Sequence, residues 1–453
     1  VMEEGGAGGR GPWVEMASAA ASQVAEWVRE NPILVAKWLG MGLMAVIGGH
    51  YLFEIFIRPL ERVRHIQEVG YCNPENADAI AVSNDVRKRR DRGNIPPAFP
   101  NGWYCVLYSR ELAPLSARSV SALGQTLAVF RGHDKSIHVL DAYCPHLGAN
   151  LAEGGKVVIH KKDKEDEGTS CLQCPFHGWT FSGESGQCME IPYSDSIPSN
   201  AKTKVWESME INGQILIWFD AEGRPPQWRP PAISGIEDGS WTCRGKTQHV
   251  INAHIQEVPE NGADVPHLNF LHSPIIAVGT DLRHTQTGYG PSWAWIQHTW
   301  DASWVPGKGD KSHVAVLKLD HGISLFGIKL PPLNFNVVAY QVGPSLVYLT
   351  FKSFFGEGAF VQSLLPLGPM EQKVTHEVWG EWTLPTIMTK FFLLGEAIQV
   401  ERDVMIWNNK RFNHKPALTK GEGLILQFRR WYSQFYSEHS REVAQKTVNY
   451  LDW

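Results

Sequence analysis

Two short cysteine–histidine motifs place the strongest constraint on how this chain can fold. Cys144 and His146 are separated by one proline. Cys174 and His177 are separated by a proline and a phenylalanine. Two thiolates and two imidazoles are the mixed ligand set of a [2Fe-2S] cluster in which histidines replace the cysteines on one iron. Because all four side chains must reach one cluster, the two loops that carry them are expected to lie side by side.

A zinc site is the main alternative for these ligands, because Cys171 and Cys174 form a Cys-x-x-Cys pair of the kind found in structural zinc sites. A proline directly follows each motif cysteine, and the second motif continues into an aromatic stretch that contains Trp179. This arrangement favours a cluster of the Rieske type, with Cys144 and Cys174 as its thiolate ligands. Cys171 is then predicted to be a buried thiol that binds no metal.

The composition is typical of an intracellular protein with sizeable cores. The chain has 453 residues, 43% of them hydrophobic, and a formal net charge of -5. An acidic balance offers no surface for a polyanion, so no nucleic-acid partner is expected. Seven scattered cysteines are an odd number, which argues against a secreted disulfide framework. No dinucleotide fingerprint follows a predicted strand, so electrons from NAD(P)H are expected to arrive through a separate reductase or ferredoxin.

The N-terminal region is predicted to attach the protein to a membrane. Residues 1–30 begin with a glycine-rich stretch and are interpreted as a disordered tail. Within residues 31–60, the segment from Trp38 to Ile57 has about the 20 residues that a helix needs to cross a bilayer. A transmembrane helix is predicted, and a helix lying on the membrane is the alternative. Residues 61–93 are a basic linker, whose charge favours a cytosolic catalytic region, with the endoplasmic reticulum as the expected location.

The rest of the chain predicts an α+β protein with two domains. Residues 94–235 contain short runs rich in β-branched and aromatic residues, separated by turn residues, as in a small antiparallel β domain. Both cysteine–histidine motifs fall in loops between these runs. Residues 236–453 are assigned to a catalytic domain with an iron site of its own.

The ligands of this second site begin with a motif of four polar residues. It reads Asn261, Asp264, His267 and His272, with two or four residues between neighbours. Two neutral imidazoles and one carboxylate form the facial triad of non-haem iron oxygenases, which leaves coordination positions open for dioxygen. The two histidines are therefore predicted to bind a mononuclear iron.

The third ligand is expected to be a carboxylate on a later helix. Three acidic residues are candidates there: Glu396, Glu401 and Asp403. Asp403 lies four residues before Trp407 and shares its helical face, whereas Glu401 points elsewhere. We therefore predict that Asp403 completes the site.

From about residue 95 to its end, the chain resembles the Rieske-type oxygenases. The resemblance implies a helix-grip catalytic domain, in which a curved antiparallel sheet grips a long helix. It also implies a homotrimer, in which Asp264 connects the iron site to the Rieske histidine of a neighbouring subunit, either His146 or His177. Asn261 matches a residue that the family places close to the iron without binding it.

Further segments are similar to the Neverland group of cholesterol 7-desaturases. These segments are residues 365–379 and 406–411, together with the N-terminal helix. Members of this group remove two hydrogens from the sterol B ring to give 7-dehydrocholesterol, so the resemblance implies cholesterol and O2 as substrates. Bacterial ketosteroid 9-hydroxylases are similar over both iron sites but usually lack the membrane helix, and steroid hydroxylation is the alternative reaction.

A membrane-anchored Rieske electron carrier is the alternative that is not an enzyme. Such carriers resemble this chain in their N-terminal helix and cluster ligands, but a disulfide connects their two cluster loops. Ala149 and Phe176 stand where its cysteines would be, and a carrier has no use for a second iron site. The sequence leaves open the natural sterol, the choice between desaturation and hydroxylation, the redox partner and the organelle.

Overall fold

The computed structural model describes residues 12–71, 78–161, 168–285, 296–330, 335–353 and 355–443, and residue 445. The chain divides into two compact units between Arg58 and Pro59. The first unit contains two helices, α1 (Pro12–Glu30) and α2 (Pro32–Phe56). No residue of α2 is buried, and this helix of 25 mostly apolar residues is sufficient in length and composition to cross a bilayer.

Helix α1 differs from the disordered tail predicted for residues 1–30. Its sequence is rich in alanine and other helix-forming residues, and Pro12 stands at the first helical position, where a missing N–H breaks no hydrogen bond. The prediction is therefore wrong for residues 12–30, because it extended the composition of the glycine-rich start to a segment with a different one. Residues 1–11 lie outside the described residues.

The predicted basic linker of residues 61–93 contains two elements of the second unit. Strand β1 (Leu60–Arg64) joins the main sheet, and helix α3 (Ala79–Arg89) follows it. Arg90, directly after α3, donates from Nε to the backbone oxygen of Lys410 at 2.8 Å. Much of this segment is therefore part of the folded body, where its arginines find partners that are distant in sequence.

Three small antiparallel sheets form the domain that carries the cluster motifs. Their strands are β2 (Gly102–Tyr108), β3 (Ala117–Ala122), β4 (Gln125–Arg131), β5 (Ile137–Asp141), β6 (Lys156–His160), β7 (Thr169–Gln173), β8 (Thr180–Ser182), β9 (Cys188–Glu190), β10 (Ser208–Ile211) and β11 (Gln214–Phe219). The strand orders are β10-β11-β2, β3-β4-β5 and β6-β7-β8-β9. The prediction of a small antiparallel β domain is confirmed.

One nine-stranded sheet forms the base of the catalytic domain. Its strands after β1 are β12 (Thr242–Ile251), β13 (Ile296–Pro306), β14 (Val314–Leu325), β15 (Ile328–Lys329), β16 (Phe335–Val342), β17 (Leu346–Ser353), β18 (Gly356–Gly368) and β19 (Glu371–Gly380). The order is β1-β12-β19-β18-β17-β16-β14-β13, with β15 paired to β14. β1 pairs with β12 in parallel, whereas β12 to β19 pair antiparallel. The sheet is therefore mixed rather than purely antiparallel as predicted.

The helices of the catalytic domain include one that is much longer than the rest. They are α4 (Ser234–Glu237), α5 (Glu257–Glu260), α6 (Val265–Leu271), α7 (Leu282–Thr285), α8 (Thr386–Trp407) and α9 (Gly423–Tyr432). The long helix α8 packs against β12 and β19. A sheet that packs on one long helix agrees with the predicted α+β architecture.

The two domains of the second unit share a hydrophobic core. Val106 of β2 and Leu127 of β4 belong to the same buried cluster as Ile251 of β12, Leu364 of β18 and Val404 of α8. Burying a Val, Leu or Ile side chain stabilises a fold by about 1.5–3 kcal/mol. This shared hydrophobic core therefore holds the sheets of the Rieske domain against the sheet of the catalytic domain. The boundary between residues 235 and 236 stays a prediction.

Candidate iron centres

Both cluster motifs lie in short loops with the same backbone turn. The first loop follows β5, and the second connects β7 to β8. Gly148 N donates to Cys144 O at 2.9 Å, and Gly178 N donates to Cys174 O at 3.1 Å. Both glycines have a positive φ, 77° and 76°, which a residue without Cβ adopts at little cost. A cysteine followed four residues later by glycine therefore builds the same turn twice.

The four predicted cluster ligands fit a Rieske cluster. The ring centroids of His146 and His177 are 4.8 Å apart, and Cys144 and Cys174 are each 3% exposed. Burial raises the pKa of the Cys144 thiol, and the neighbouring Cys174 acts in the same direction. His177 Nδ1 is buried without a hydrogen-bond partner among the described residues. Burying a polar nitrogen without a hydrogen bond is unfavourable, and coordination of a metal would compensate for it.

Aromatic and apolar side chains surround the two cluster loops. The ring of His146 stacks on Trp179 at 4.5 Å with an interplanar angle of 4°. Trp179 is held in turn by a hydrogen bond of 2.8 Å from its Nε1 to the hydroxyl of Tyr193. Leu147 and Phe176, one in each loop, are 65% and 61% exposed. The rim of the cluster site is thus apolar and accessible.

The second motif brings two histidines and a carboxylate to one point. His267 lies on α6, His272 directly follows it, and Asp403 lies on α8. One candidate ligand atom from each of the three lies within 4.8 Å of the others. His272 Nε2 is 3.3 Å from Asp403 Oδ2. Two imidazoles and one carboxylate in this arrangement fit the facial triad of a mononuclear iron.

The residues before α6 orient His267. His267 Nδ1 donates to the backbone oxygen of Asp264, which leaves His267 Nε2 with the lone pair that a metal needs. Asp264 is the N-cap residue of α6, and Pro266 lies in the first turn of the helix. Burial raises the pKa of the Asp264 carboxyl, and the nearby charge of His267 opposes this shift. Asn261 precedes this turn, and its backbone oxygen accepts from Asp264 N at 3.3 Å.

The structure separates Asp403 from the other two acidic candidates of α8. Glu401 accepts a hydrogen bond from Arg62 of β1 at 2.8 Å. Glu396 Oε1 lies 3.0 Å from His376 Nε2. Burial raises the pKa of the Glu396 carboxyl to about 8. Neither residue belongs to the group that Asp403 forms with the two histidines in the described part of the chain.

Sequence reasoning missed the residues that hold these ligands in place. Glu260 accepts two hydrogen bonds from Arg429 of α9, at 2.7 and 2.9 Å, and so fixes α5 next to the second motif. Gln399 Oε1 lies 2.8 Å from His272 Nδ1 and 3.0 Å from Arg402 Nη1. Gln399 precedes Asp403 by one helical turn, and this spacing is the signal that could have pointed to it.

A Rieske cluster site and a facial-triad iron site in one chain define a Rieske non-haem iron oxygenase. A Rieske [2Fe-2S] domain matches residues 102–201, and a 3-ketosteroid 9alpha-hydroxylase C-terminal domain matches residues 217–436. The chain is 44% identical to the cholesterol 7-desaturase nvd of Xenopus laevis, over 87% of this chain and 84% of that protein. It is 43% identical to the cholesterol 7-desaturase nvd 1 of Ciona intestinalis, over 89% and 83%. The chain belongs to the cholesterol 7-desaturase family, as its motifs predicted.

More distant relatives bear on the alternatives. A probable 3-ketosteroid-9-alpha-monooxygenase oxygenase component of Rhodococcus rhodochrous is 26% identical, over 80% of this chain and 86% of that protein. The structure of NdmA from Pseudomonas putida CBB5 with caffeine has a TM-score of 0.54 and 17% identity, over 76% and 94%. At this identity the likeness shows a shared fold. The hydroxylase alternative is thus a distant relationship, and family membership makes the chain an enzyme rather than an electron carrier.

Proposed function

We propose that this protein converts cholesterol to 7-dehydrocholesterol with O2 and electrons from a separate reductase. The observation that carries the proposal is the convergence of His267, His272 and Asp403 in a chain that belongs to the cholesterol 7-desaturase family. The reaction removes one hydrogen from each of two neighbouring carbons of the sterol. O2 is reduced to two molecules of water with two electrons from NAD(P)H.

Each site residue has a proposed role in this reaction. The Rieske cluster is held by the four ligands of the two loops: Cys144, His146, Cys174 and His177. His267, His272 and Asp403 would hold the mononuclear iron. When bound, these two centres supply the one-electron chemistry that activates O2 against an unreactive C–H bond. The chain itself orients the ligands, through the backbone oxygen of Asp264 at His267 and through α8 at Asp403.

Asp264 is proposed to connect the cluster of one subunit to the iron of its neighbour in a homotrimer. The exposed apolar rim at Leu147 and Phe176 supports this proposal, because such surfaces mark protein contacts. The half-buried carboxyl of Asp264, next to His267, supports it as well. Asn261, three residues before Asp264, is proposed to lie close to the iron without binding it. Light scattering of the detergent-solubilised protein should give the mass of a trimer, and a fully active monomer would contradict the proposal.

Helix α2 is proposed to be a single membrane span that leaves the catalytic region in the cytosol, with the endoplasmic reticulum as the compartment. Its length of 25 residues and its mostly apolar composition support the proposal. Arg58, two residues after the end of the helix, supports it as well, because cationic residues are enriched on the cytosolic flank of a span. Alkaline carbonate should fail to extract the protein from microsomes, whereas a helix that lies on the membrane would be released. Protease added to sealed microsomes should digest the catalytic region.

Product analysis is the direct test of the reaction. The purified protein is supplied with cholesterol, O2, NAD(P)H and a reductase–ferredoxin pair, and its products are identified by mass spectrometry. A product that is two hydrogens lighter supports desaturation, whereas one that is heavier by an oxygen atom would favour steroid hydroxylation, the second candidate. His267→Ala should keep the visible spectrum of the cluster and give no product. Turnover with NAD(P)H in the absence of the reductase would contradict the scheme.

A further inference from the structure

The hydrogen bonds of His272 point to one more residue that the iron site requires. An imidazole nitrogen can bind a metal only if it carries a lone pair, so the proton must lie on the other nitrogen. At His267 the partner of Nδ1 is a backbone oxygen, which can only accept. The partner of His272 Nδ1 is instead the side-chain amide of Gln399, at 2.8 Å. An amide can present either an acceptor or a donor to its neighbour.

Arg402 decides the orientation of this amide. Arg402 lies one helical turn after Gln399 on α8 and is fully buried. Its guanidinium is fixed by hydrogen bonds of 2.8 to 3.4 Å to four backbone oxygens, those of Leu271, Pro274, Ile275 and Gly279. Arg402 Nη1 also lies 3.0 Å from the amide of Gln399. Because arginine has donors and no acceptor, the amide atom that faces it must be the oxygen.

The tautomer of His272 follows from that orientation. Gln399 Oε1 faces His272 Nδ1 as well as Arg402, so His272 Nδ1 must carry the proton. At the other end of the amide, Gln399 Nε2 donates to the backbone oxygen of His272 at 3.4 Å. His272 Nε2 keeps its lone pair, and this is the atom that lies 3.3 Å from Asp403 Oδ2.

We propose that Gln399, oriented by Arg402, is a positioning residue that holds His272 in the tautomer that binds iron through Nε2. This inference rests on the proposed iron site and concerns how the site is prepared. A group that accepts a hydrogen bond from a metal-binding histidine fixes the ring and raises its basicity. Loss of such a group weakens metal affinity by about 10- to 100-fold. Gln399 acts through His272 and contacts it at both ends of the amide.

The first experiment measures the affinity of the site for Fe(II). The full-length protein is depleted of its mononuclear iron with a chelator, keeps its Rieske cluster, and is titrated with Fe(II) under anaerobic conditions. Gln399→Met removes both hydrogen bonds at nearly the same shape and helix propensity, and should weaken the Kd for Fe(II) by about 10- to 100-fold. Gln399→Glu restores an acceptor for His272 and should stay close to the wild-type affinity.

A matched control separates this effect from the loss of any buried amide. Gln372 is fully buried, and its Nε2 donates to the backbone oxygens of Ala253 and Gly368 at 3.1 and 3.3 Å. Gln372→Met should therefore lower thermal stability without changing the Kd for Fe(II). The visible absorbance of the Rieske cluster reports folding in every variant. If Gln372→Met weakened Fe(II) binding as much as Gln399→Met, the specific role of Gln399 would be refuted.

A second experiment tests whether Arg402 acts by orienting the amide. Arg402→Lys keeps a positive charge but loses the fixed fork of donors, so the Gln399 amide can turn and affinity for Fe(II) should fall. The carboxylate of Gln399→Glu has two equivalent oxygens, so turning it by about 180° still presents an acceptor to His272 Nδ1. In the Gln399→Glu background, Arg402→Lys should therefore cost clearly less affinity than in the wild-type background. An equal loss in both backgrounds would overturn the orienting role.

The outcomes distinguish this inference from the proposed function. If the wild-type protein bound no Fe(II) at His267, His272 and Asp403, both would fail. If the wild-type protein bound Fe(II) and Gln399→Met bound it equally well, the inference alone would fail. The same holds if Gln399→Glu were no better than Gln399→Met. Should Gln399→Met lose its cluster absorbance, Gln399→Leu replaces it in the same comparison with Gln399→Glu.

Discussion

Gly148 and Gly178 occupy the same position in the two cluster loops, four residues after Cys144 and Cys174, and each donates its backbone N–H to that cysteine's backbone oxygen. Their φ angles agree within one degree, at 77° and 76°. Their surroundings differ. A Cβ on Gly148 would meet no atom within 4 Å, whereas a Cβ on Gly178 would lie 2.8 Å from Pro192 Cγ. The two loops therefore share a backbone requirement but differ in packing.

Alanine at these two positions should separate backbone strain from steric clash. Gly148→Ala should cost about 1–2 kcal/mol, because an L-residue at this φ is strained. Gly178→Ala carries the same strain and must also displace Pro192, so it should cost more. Thermal unfolding followed by the visible absorbance of the cluster measures both, at about 2–4 °C per kcal/mol for domains of this size. Equal midpoints for the two variants would contradict the clash at Pro192.

The ligand role of Asp403 can be tested by metal analysis. Asp403→Ala should lose the mononuclear iron and keep the cluster. The iron content should therefore fall from about three to about two iron atoms per two sulfides. Glu396→Gln is the matched control on the same helix. Burial raises the pKa of Glu396 to about 8, so the side chain is mostly protonated at pH 7, and a neutral amide of the same shape should retain all the iron. Full iron content in Asp403→Ala would exclude it as a ligand.

The cluster site and the second motif were predicted from local sequence patterns. The ligands of each cluster loop lie within four residues of one another, so their spacing can be read directly from the sequence. The preference for Asp403 over Glu401 followed from helical phase and from the resemblance of this segment to the Rieske-type oxygenases. These features depend on contacts between near neighbours, for which spacing is informative.

Contacts between distant segments could not be predicted in the same way. Strand β1 was read as a linker because its partner β12 lies far along the chain, and five charged or apolar residues carry little strand signal by themselves. Gln399 was missed for the same reason, since its contact with His272 spans 127 residues. The role of an uncharged amide becomes apparent only once Arg402 is known to face it.

The stability of the protein should decrease between neutral and mildly acidic pH, with a contribution from His254. This residue is fully buried, accepts from Gln256 N at Nδ1 and donates from Nε2 to the backbone oxygen of Pro97, both at 3.2 Å. Burial lowers its pKa from 6.5 to about 4. At pH values between these two pKa values, His254 is protonated in the unfolded chain and neutral in the folded protein. The free energy of unfolding therefore decreases as the pH falls.

The size of this contribution can be isolated with one variant. From pH 7 to pH 5, His254 should account for about 2 kcal/mol of lost stability. His254→Gln cannot titrate and can still donate to Pro97. Urea unfolding at the two pH values should therefore show a smaller decrease for the variant than for the wild-type protein. Other histidines with lowered pKa values, among them His138, His298, His321 and His376, remain in both proteins, so an identical decrease would rule out His254 as a contributor.

Asp264→Asn should uncouple the two metal centres without removing either. His267 Nδ1 donates to the backbone oxygen of residue 264, and asparagine keeps that oxygen and the volume of the side chain, so iron binding should be retained. The variant loses only the carboxylate that is proposed to connect the subunits. Turnover should fall by about 100-fold, the size of effect expected when reacting groups lose their alignment.

The step that is affected can be observed directly for Asp264→Asn. With the cluster reduced beforehand, and with sterol and O2 present, the visible absorbance of the oxidised cluster should return much more slowly in Asp264→Asn than in the wild-type protein. Asp301→Asn, at an exposed position of β13, serves as the control for loss of one negative charge and should reoxidise at the wild-type rate. A wild-type rate in Asp264→Asn would refute the connecting role, because both metals and the fold are intact in that variant.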